Sequence, residues 1–467
     1  MRYLSYFITL TVFICSCSVT KQIGKQADNV LLKDSVISTG HTGISIYEPA
    51  TGKYWYNYEA EKYFVPASNV KLFTLYAGMK YLGDSIPGIK YQLLKDSSIN
   101  IFPTGDPTFL HPDFKKQPVL DFLQHNKRSI LFLKGWEAQA LGYGWAWDDY
   151  NDRYMAERSP MPVFGNVVNF RLNNTKLADT SYSYCIDIAW EATPKYFESA
   201  ISPSYYPPIR KGIAADTAGI KGSMLKFSIK RKPDSNFFGL AYDEGAFSVQ
   251  TIPFKTYGIN TAMQILKDDF KLNPGLIIDD NPFFSRRNIF LKSHTLYSQP
   301  SDSLFKPMMY NSDNFFAEQT LLMTSNEKLG VMNDEAIIDT LLSTDLKDVP
   351  QKPKWVDGSG LSRYNLFSPK DFIFILNKMK NEFGLERLKT ILPGGNAGTL
   401  KNYFIADSGL VYAKTGSLSN HVALSGFVIT KKNRLLFFSI LNNHFIGRAT
   451  TVRRAVEKFL QGIIEDY

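Results

Sequence analysis

The sequence predicts an α/β protein whose main domain is discontinuous, built from both ends of the chain around an inserted β-rich region. Three observations carry this. Gly43 to Tyr58 alternates around the turn signal Glu48-Pro49-Ala50-Thr51-Gly52 and leads into a long apolar helix entered near Ser68. Toward the other end, His421 to Thr430 and Arg434 to Leu441 form a hairpin over Lys431-Lys432-Asn433, followed by an amphipathic helix from Thr451 to Ile464. Between these two hairpin-and-helix units, short strand-like runs dominate.

The chain opens on a targeting segment. Arg2 precedes the apolar run Leu4 to Ile14, too short to span a bilayer and about right for a signal peptide. It ends in Ile14-Cys15-Ser16-Cys17, which resembles a bacterial lipobox with Cys17 as the lipidated residue; an ordinary signal peptide cut nearby is the alternative. The expectation is therefore a periplasmic protein anchored by lipid to the inner or outer membrane. Beyond Cys15 and Cys17 the chain has only Cys185, which excludes a disulfide framework and a cysteine-rich metal site. Lys21 to Leu32 is polar and reads as a tether. The 467 residues, 44% apolar and 21% charged, suffice for two or three domains with a substantial core. The formal charge of +9 comes without a long basic run or nucleic-acid motif, so no nucleic-acid partner is expected. We divide the chain into a leader (1–17), a first part of the main domain (18–85), inserted β-rich modules (86–290) and a second part (291–467).

The stretch Val65-Pro66-Ala67-Ser68-Asn69-Val70-Lys71 enters a helix that is apolar all round, and such a helix belongs in a core. Ser68 then stands at a helix N-terminus, where free N–H groups favour developing negative charge. Lys71 lies three residues on, over the same face, and an amine in a buried helix sheds its proton more easily than one in water. A serine nucleophile with a lysine base follows. Ser-x-x-Lys alone is uninformative, since it recurs at Ser18, Ser223, Ser303 and Ser325.

From Gly83 the pattern changes to β-like runs at Tyr91–Leu94, Ile130–Leu133, Asn166–Leu172, Phe227–Lys230 and Phe247–Ile252, with sparse helices such as Pro118–Gln124. Gly105-Asp106-Pro107 reads as a turn without a role. Gly144-Trp145-Ala146-Trp147-Asp148-Asp149 pairs rigid aromatics with two carboxylates, and the residues alone suggest a packed tryptophan corner with solvated acids. Helices return at Ser301–Tyr310 and Phe315–Met323, flanking Asn311-Ser312-Asp313-Asn314. Ser368-Pro369-Lys370-Asp371 is a capped helix start, and Val411 to Gly416 ends a strand. The histidines are scattered singly without ligand spacing, so neither a metal nor another cofactor is expected.

Ser68-Asn69-Val70-Lys71, Ser312-Asp313-Asn314 and Lys414-Thr415-Gly416 stand in the order found in penicillin-recognising serine enzymes. The chain resembles the type-4, class C penicillin-binding proteins, the D-alanyl-D-alanine carboxypeptidase and endopeptidase family. The resemblance covers nearly all of the chain after the leader and takes in Asp357-Gly358-Ser359-Gly360-Leu361-Ser362-Arg363 and Ala397-Gly398-Thr399-Leu400. The wide gap from Ser68 to Ser312 matches a family with domains inserted there and argues against class A β-lactamases. It implies a penicillin-binding, transpeptidase-like domain: an antiparallel sheet flanked by helices, with β-rich inserts.

The resemblance also implies roles. Ser68 would attack the penultimate D-alanine carbonyl to form an acyl-enzyme, and Lys71 would take its proton. Ser312 would relay a proton to the leaving amine, Asn314 would hold the substrate amide, and Lys414 would supply positive charge. Thr415 and Ser417 would bind the terminal carboxylate, and Gly416 would let the strand approach the substrate closely. The N–H groups of Ser68 and Ser417 would form the oxyanion hole, a contribution of about 3–4 kcal/mol per donor in comparable enzymes. Trp145, Trp147 and Asp149 match a substrate-facing loop, with Asp149 on the diamino acid of the peptide. The implied partners are peptidoglycan stem peptides and β-lactams. A non-catalytic peptidoglycan-binding protein, and an esterase or β-lactamase on the same scaffold, are the alternatives.

Overall fold

In the computed structural model the two ends of the chain meet in one sheet. It describes residues 19–126, 129–133, 135–180, 183–202, 227–242, 249–278 and 293–467; the leader with Cys17 lies outside them. Strands β1 (His41–Glu48) and β2 (Lys53–Tyr58) form the expected first hairpin. Strands β3 (Val411–Leu418), β4 (His421–Ile429) and β5 (Leu435–Asn443) come from the far end. The order is β3-β4-β5-β1-β2 and every pairing is antiparallel. β1 runs against β5 from His41↔Asn443 to Tyr47↔Phe437, which closes the main domain across the insert.

Both faces of this sheet are covered, so its strands read as apolar runs. Side chains alternate between the faces: Phe437 and Leu441 enter one core, while Leu436, Phe438 and Ile440 enter the other. Over the first face lie α1 (Lys71–Tyr81), α2 (Asn314–Leu329) and α3 (Pro369–Phe383). Over the second lies α4 (Ala449–Asp466), which buries Val452, Phe459, Leu460 and Ile463. The start of α3 is the reciprocal cap its sequence announces: Ser368 N–H donates to Asp371 Oδ2 at 2.7 Å, and Asp371 N–H donates back to Ser368 Oγ at 3.3 Å. Helix α1 is buried on every side from Lys71 to Met79. Its Phe73 packs on Trp355, Phe367 and Phe372 with ring centroids 4.9–5.8 Å apart. Burying side chains of this size contributes roughly 1.5–3 kcal/mol each, which anchors the segment that carries Ser68.

The inserted region has its own core around Ile101, Leu131, Phe170, Phe197, Phe238 and Ile265. Its five-stranded sheet runs in the order Gly275–Ile278, Ser129–Leu133, Ile99–Pro103, Ser85–Leu93, His294–Pro300. Three features differ from the sequence reading. The stretch from Lys21 to Leu32, read as a tether, is helical and packed, with Ile23, Ala27 and Leu31 fully buried in the core on the second face of the main sheet. His294–Pro300 pairs with Ser85–Leu93 and so belongs to this sheet, although it lies past the boundary drawn at residue 290. A helix, Asn260–Phe270, buries Ala262, Ile265 and Leu266 in a stretch where the sequence reading named only strand-like runs and sparse helices such as Pro118–Gln124. Among the described residues no helix is long and apolar enough to cross a membrane.

Candidate active site

Ser68 sits in a tight 3-10 turn, Ala67–Val70, that feeds directly into α1 at Lys71. The turn is strained and held from several sides. Ala67 has φ +48°, a left-handed conformation that costs a non-glycine residue on the order of 1–3 kcal/mol. Two glycines make room for it. A Cβ on Gly360 would stand 1.9 Å from the Ala67 carbonyl oxygen, and one on Gly416 would stand 2.6 Å from that of Pro66. Asn443 clamps the preceding residue, accepting from Val65 N–H at 2.6 Å and donating to its carbonyl at 3.1 Å. The room at Gly416 is therefore filled by the turn that carries Ser68, rather than left open toward a substrate as expected.

Lys71 Nζ donates to three oxygens: Ser68 Oγ at 2.9 Å, Asn314 Oδ1 at 2.7 Å and the Ser359 carbonyl at 2.8 Å. It is fully buried, and burial pushes its pKa down to about 8, against the opposing pull of Asp357, Asp313 and Glu318. Such an amine is poised to accept a proton near neutral pH.

Ser312 lies on the turn between helix Ser301–Tyr310 and α2, again left-handed with φ +55°. The cap of α2 is Asp313, which accepts from Phe316 N–H at 2.9 Å, and this leaves Ser312 and Asn314 free for other work. Ser312 Oγ accepts from Lys414 Nζ at 2.8 Å, and that ammonium also donates to the Thr415 carbonyl at 2.7 Å. Lys414 is fully buried, and burial together with the neighbouring Lys71 cation holds its pKa well below the lysine range. It is thus able to exchange a proton as well as stand as a charge, the role expected from sequence. Two Ser–Lys pairs, Ser68–Lys71 and Ser312–Lys414, converge here.

Asn314 has both ends of its amide engaged, Oδ1 by Lys71 and Nδ2 by the Tyr154 carbonyl at 3.2 Å. Thr415 is half-buried and Ser417 exposed; Ser417 Oγ accepts from Arg453 of α4 at 2.7 Å, which brings a guanidinium to the strand end.

The tryptophan loop divides. Trp145 is a peg: its indole N–H donates to Asp357 Oδ2 at 3.0 Å, while Tyr143 stacks on Tyr364 with centroids 5.2 Å apart. Trp147 is 78% exposed. Asp149 is half-buried where Asp148 is exposed, and it lies close before Tyr154, whose carbonyl receives Asn314 and whose hydroxyl donates to Asp152 Oδ2 at 3.0 Å. Asp357 in turn accepts from Gly360 N–H at 2.8 Å and Ser362 N–H at 2.7 Å, so it shapes the loop whose Ser359 carbonyl faces Lys71.

Several residues here have no motif to announce them. Glu318, Arg158, Tyr154, Asn443 and Arg453 reach the site or its supports from separate elements. Glu318 alone leaves a trace, as a carboxylate inside the apolar run Phe315 to Met323. Three of the six histidines, read as scattered, are brought together by the register His41↔Asn443↔His421, with His444 beside both at 5.9 and 4.8 Å. Among the described residues no group of three or more His, Cys, Asp or Glu side chains is arranged to hold a metal ion.

Known proteins resemble this chain along almost its whole length. A family model described as the D-Ala-D-Ala carboxypeptidase 3 (S13) family matches residues 24–463. A D-alanyl-D-alanine carboxypeptidase of Actinomadura sp. (strain R39) is 24% identical over 90% of this chain and 81% of its own. The penicillin-sensitive carboxypeptidase A of Dictyostelium discoideum is 22% identical over 89% and 85%. The crystal structure of penicillin binding protein 4 (dacB) from Haemophilus influenzae superposes with a TM-score of 0.65 at 20% identity, covering 94% of this chain and 98% of that one, and so shares its fold.

Proposed function

Because the chain belongs to the D-Ala-D-Ala carboxypeptidase 3 (S13) family, we propose that the two convergent Ser–Lys pairs are its catalytic machinery, with Ser68 as nucleophile. The protein is a serine-type D-alanyl-D-alanine carboxypeptidase that also binds penicillin. It cleaves the D-alanyl bond of peptidoglycan stem peptides, at a free end or in a crosslink. One observation carries the assignment: Lys71 Nζ lies 2.9 Å from Ser68 Oγ, fully buried, with a pKa of about 8.

Lys71 in its neutral form takes the Ser68 proton as Oγ attacks the carbonyl of the penultimate D-alanine. Ser312, hydrogen-bonded to Lys414, passes a proton to the departing D-alanine amine. Water then hydrolyses the acyl-enzyme. Thr415 and Ser417, with Arg453 beside Ser417, hold the terminal carboxylate. Covalent labelling with fluorescent penicillin, followed by mapping of the labelled peptide, tests this; label on any other serine refutes it. A stable adduct separates the peptidase from a β-lactamase on the same scaffold, and no adduct would leave a wall-binding protein.

Asp149 is the residue for the diamino acid of the peptide, since it is the half-buried acid of the tryptophan loop and precedes by five residues Tyr154, whose carbonyl receives Asn314. Asp149→Asn is expected to lower kcat/KM for a diaminopimelate-containing peptide by about 1 kcal/mol, because water screens a half-exposed pair. The rate of penicillin acylation, which involves no such ammonium, should be unchanged. Equal loss of both would make Asp149 a support of the fold.

We infer a periplasmic protein held to a membrane through Cys17, a reading supported by the apolar run Leu4 to Ile14 that ends in Cys15-Ser16-Cys17. Cys17→Ala should stop incorporation of labelled palmitate. Equal incorporation by wild type and variant would put the anchor elsewhere.

A further inference from the structure

Behind Lys71 lies a buried pair of charges that the reaction as described does not use. Glu318 is 1% exposed and lies one helical turn beyond Asn314, on the same face of α2. Its Oε1 accepts from the Ser359 N–H at 2.7 Å, and its Oε2 accepts from Arg158 Nη1 at 3.3 Å. Arg158 is also 1% exposed; it reaches Asp334 at 2.5 Å and donates to the carbonyls of Gln139 and Leu141 in the insert. A buried ion pair is a poor stability device, because taking both charges from water costs as much as their attraction returns. Its place is more informative than its energy.

Residues 358–360 are held by two carboxylates. Glu318 takes the N–H of Ser359, and Asp357 takes the N–H of Gly360 at 2.8 Å. Between these contacts the Ser359 carbonyl receives Lys71 Nζ at 2.8 Å. The ammonium has three donors, and its partners Ser359, Asn314 and Ser68 share them. With two fixed, the third points at Ser68 Oγ, and on deprotonation the lone pair takes that direction. We propose that Glu318, braced by Arg158, is a positioning residue for Lys71: it fixes the Ser359 carbonyl that aims the base at Ser68, and its charge favours the ammonium form. This rests on the reading that Lys71 serves as base to Ser68. The other charged groups facing Lys71 are Asp357 and Asp313, which also favour its proton, and Lys414, which opposes it.

The test is the limiting rate of acylation by fluorescent penicillin across pH, counted per labelled molecule so that misfolded protein drops out. Burial, with Asp357 beside it, pushes the Glu318 carboxyl up to about 7, so it is an anion at the pH of the Lys71 limb near 8; Glu318→Gln keeps an acceptor but removes that charge. Its acid limb should move to lower pH by about half a unit, as Lys71 loses one anion favouring its proton. The limiting rate should fall about tenfold, the mark of a weaker base, while half-saturation by penicillin stays as in wild type. An acid limb at the wild-type position overturns the proposal, since a structural role alone would not move it. Glu318→Asp keeps the charge but withdraws it by one methylene, so its limb should stay in place while the limiting rate falls about fivefold. Should the glutamine variant not fold, the aspartate variant decides, and a wild-type limiting rate there overturns the proposal. A wild-type protein that takes no label at Ser68 refutes the function reading instead.

Discussion

Ser68→Ala is expected to abolish covalent labelling by penicillin and to lower peptide hydrolysis by about 10⁶-fold, the scale on which loss of a serine nucleophile acts in other enzymes. The variant should fold as wild type does. Ser68 Oγ receives one hydrogen bond, from Lys71, and that ammonium keeps Asn314 Oδ1 and the Ser359 carbonyl as acceptors. The turn itself is held by backbone contacts that alanine preserves: Pro66 and Ala67 against Gly416 and Gly360, and Val65 against Asn443. The two measurements are therefore independent. A urea midpoint equal to wild type with no label confirms a nucleophile in a preformed site; residual label on Ser68→Ala would place the nucleophile elsewhere.

How much of this was legible in the sequence follows from how local each signal is. The two hairpins, α1 and the capped start of α3 are written in short windows, and they form where the pattern puts them. The three motifs converge because β3, α1 and the start of α2 lie side by side. That convergence depends on β1 pairing with β5 across the insert, which no local pattern encodes. The same long-range register gathers His41, His421 and His444, which the sequence shows as isolated residues. The site's supports were hidden for a related reason. Asn443 is a polar residue at a strand end, and Arg158 lies in an irregular stretch; Val65 is 378 residues from the first and Glu318 is 160 from the second. Gly416 was read as opening the strand toward substrate. A glycine tells only that space is needed, and here the occupant is the Ser68 turn.

Lys71→Met is expected to cut the acylation rate by about 10³-fold, within the range for removing a general base, without unfolding the protein. The physical reason for its tolerance is that Lys71 is costly as a cation. Its pKa falls from 10.5 to about 8 in the folded protein, so its charged form opposes folding by about 3 kcal/mol. That cost is present in full below pH 8 and disappears as pH rises through 10.5, where the unfolded lysine also loses its proton. Methionine relieves it but orphans Asn314 Oδ1 and the Ser359 carbonyl, at about 1–3 kcal/mol each, so the two effects nearly cancel at neutral pH. Relative to wild type, the variant should therefore look more stable at pH 7 than at pH 10. Wild-type acylation should rise with pH and level off above about pH 8, as the neutral amine becomes populated. In Lys71→Met the slow residual reaction should lack that limb. Urea midpoints at the two pH values, beside the pH profile of labelling, decide the matter. A variant that keeps the wild-type limb would show that another group, with Lys414 first in line, takes the Ser68 proton.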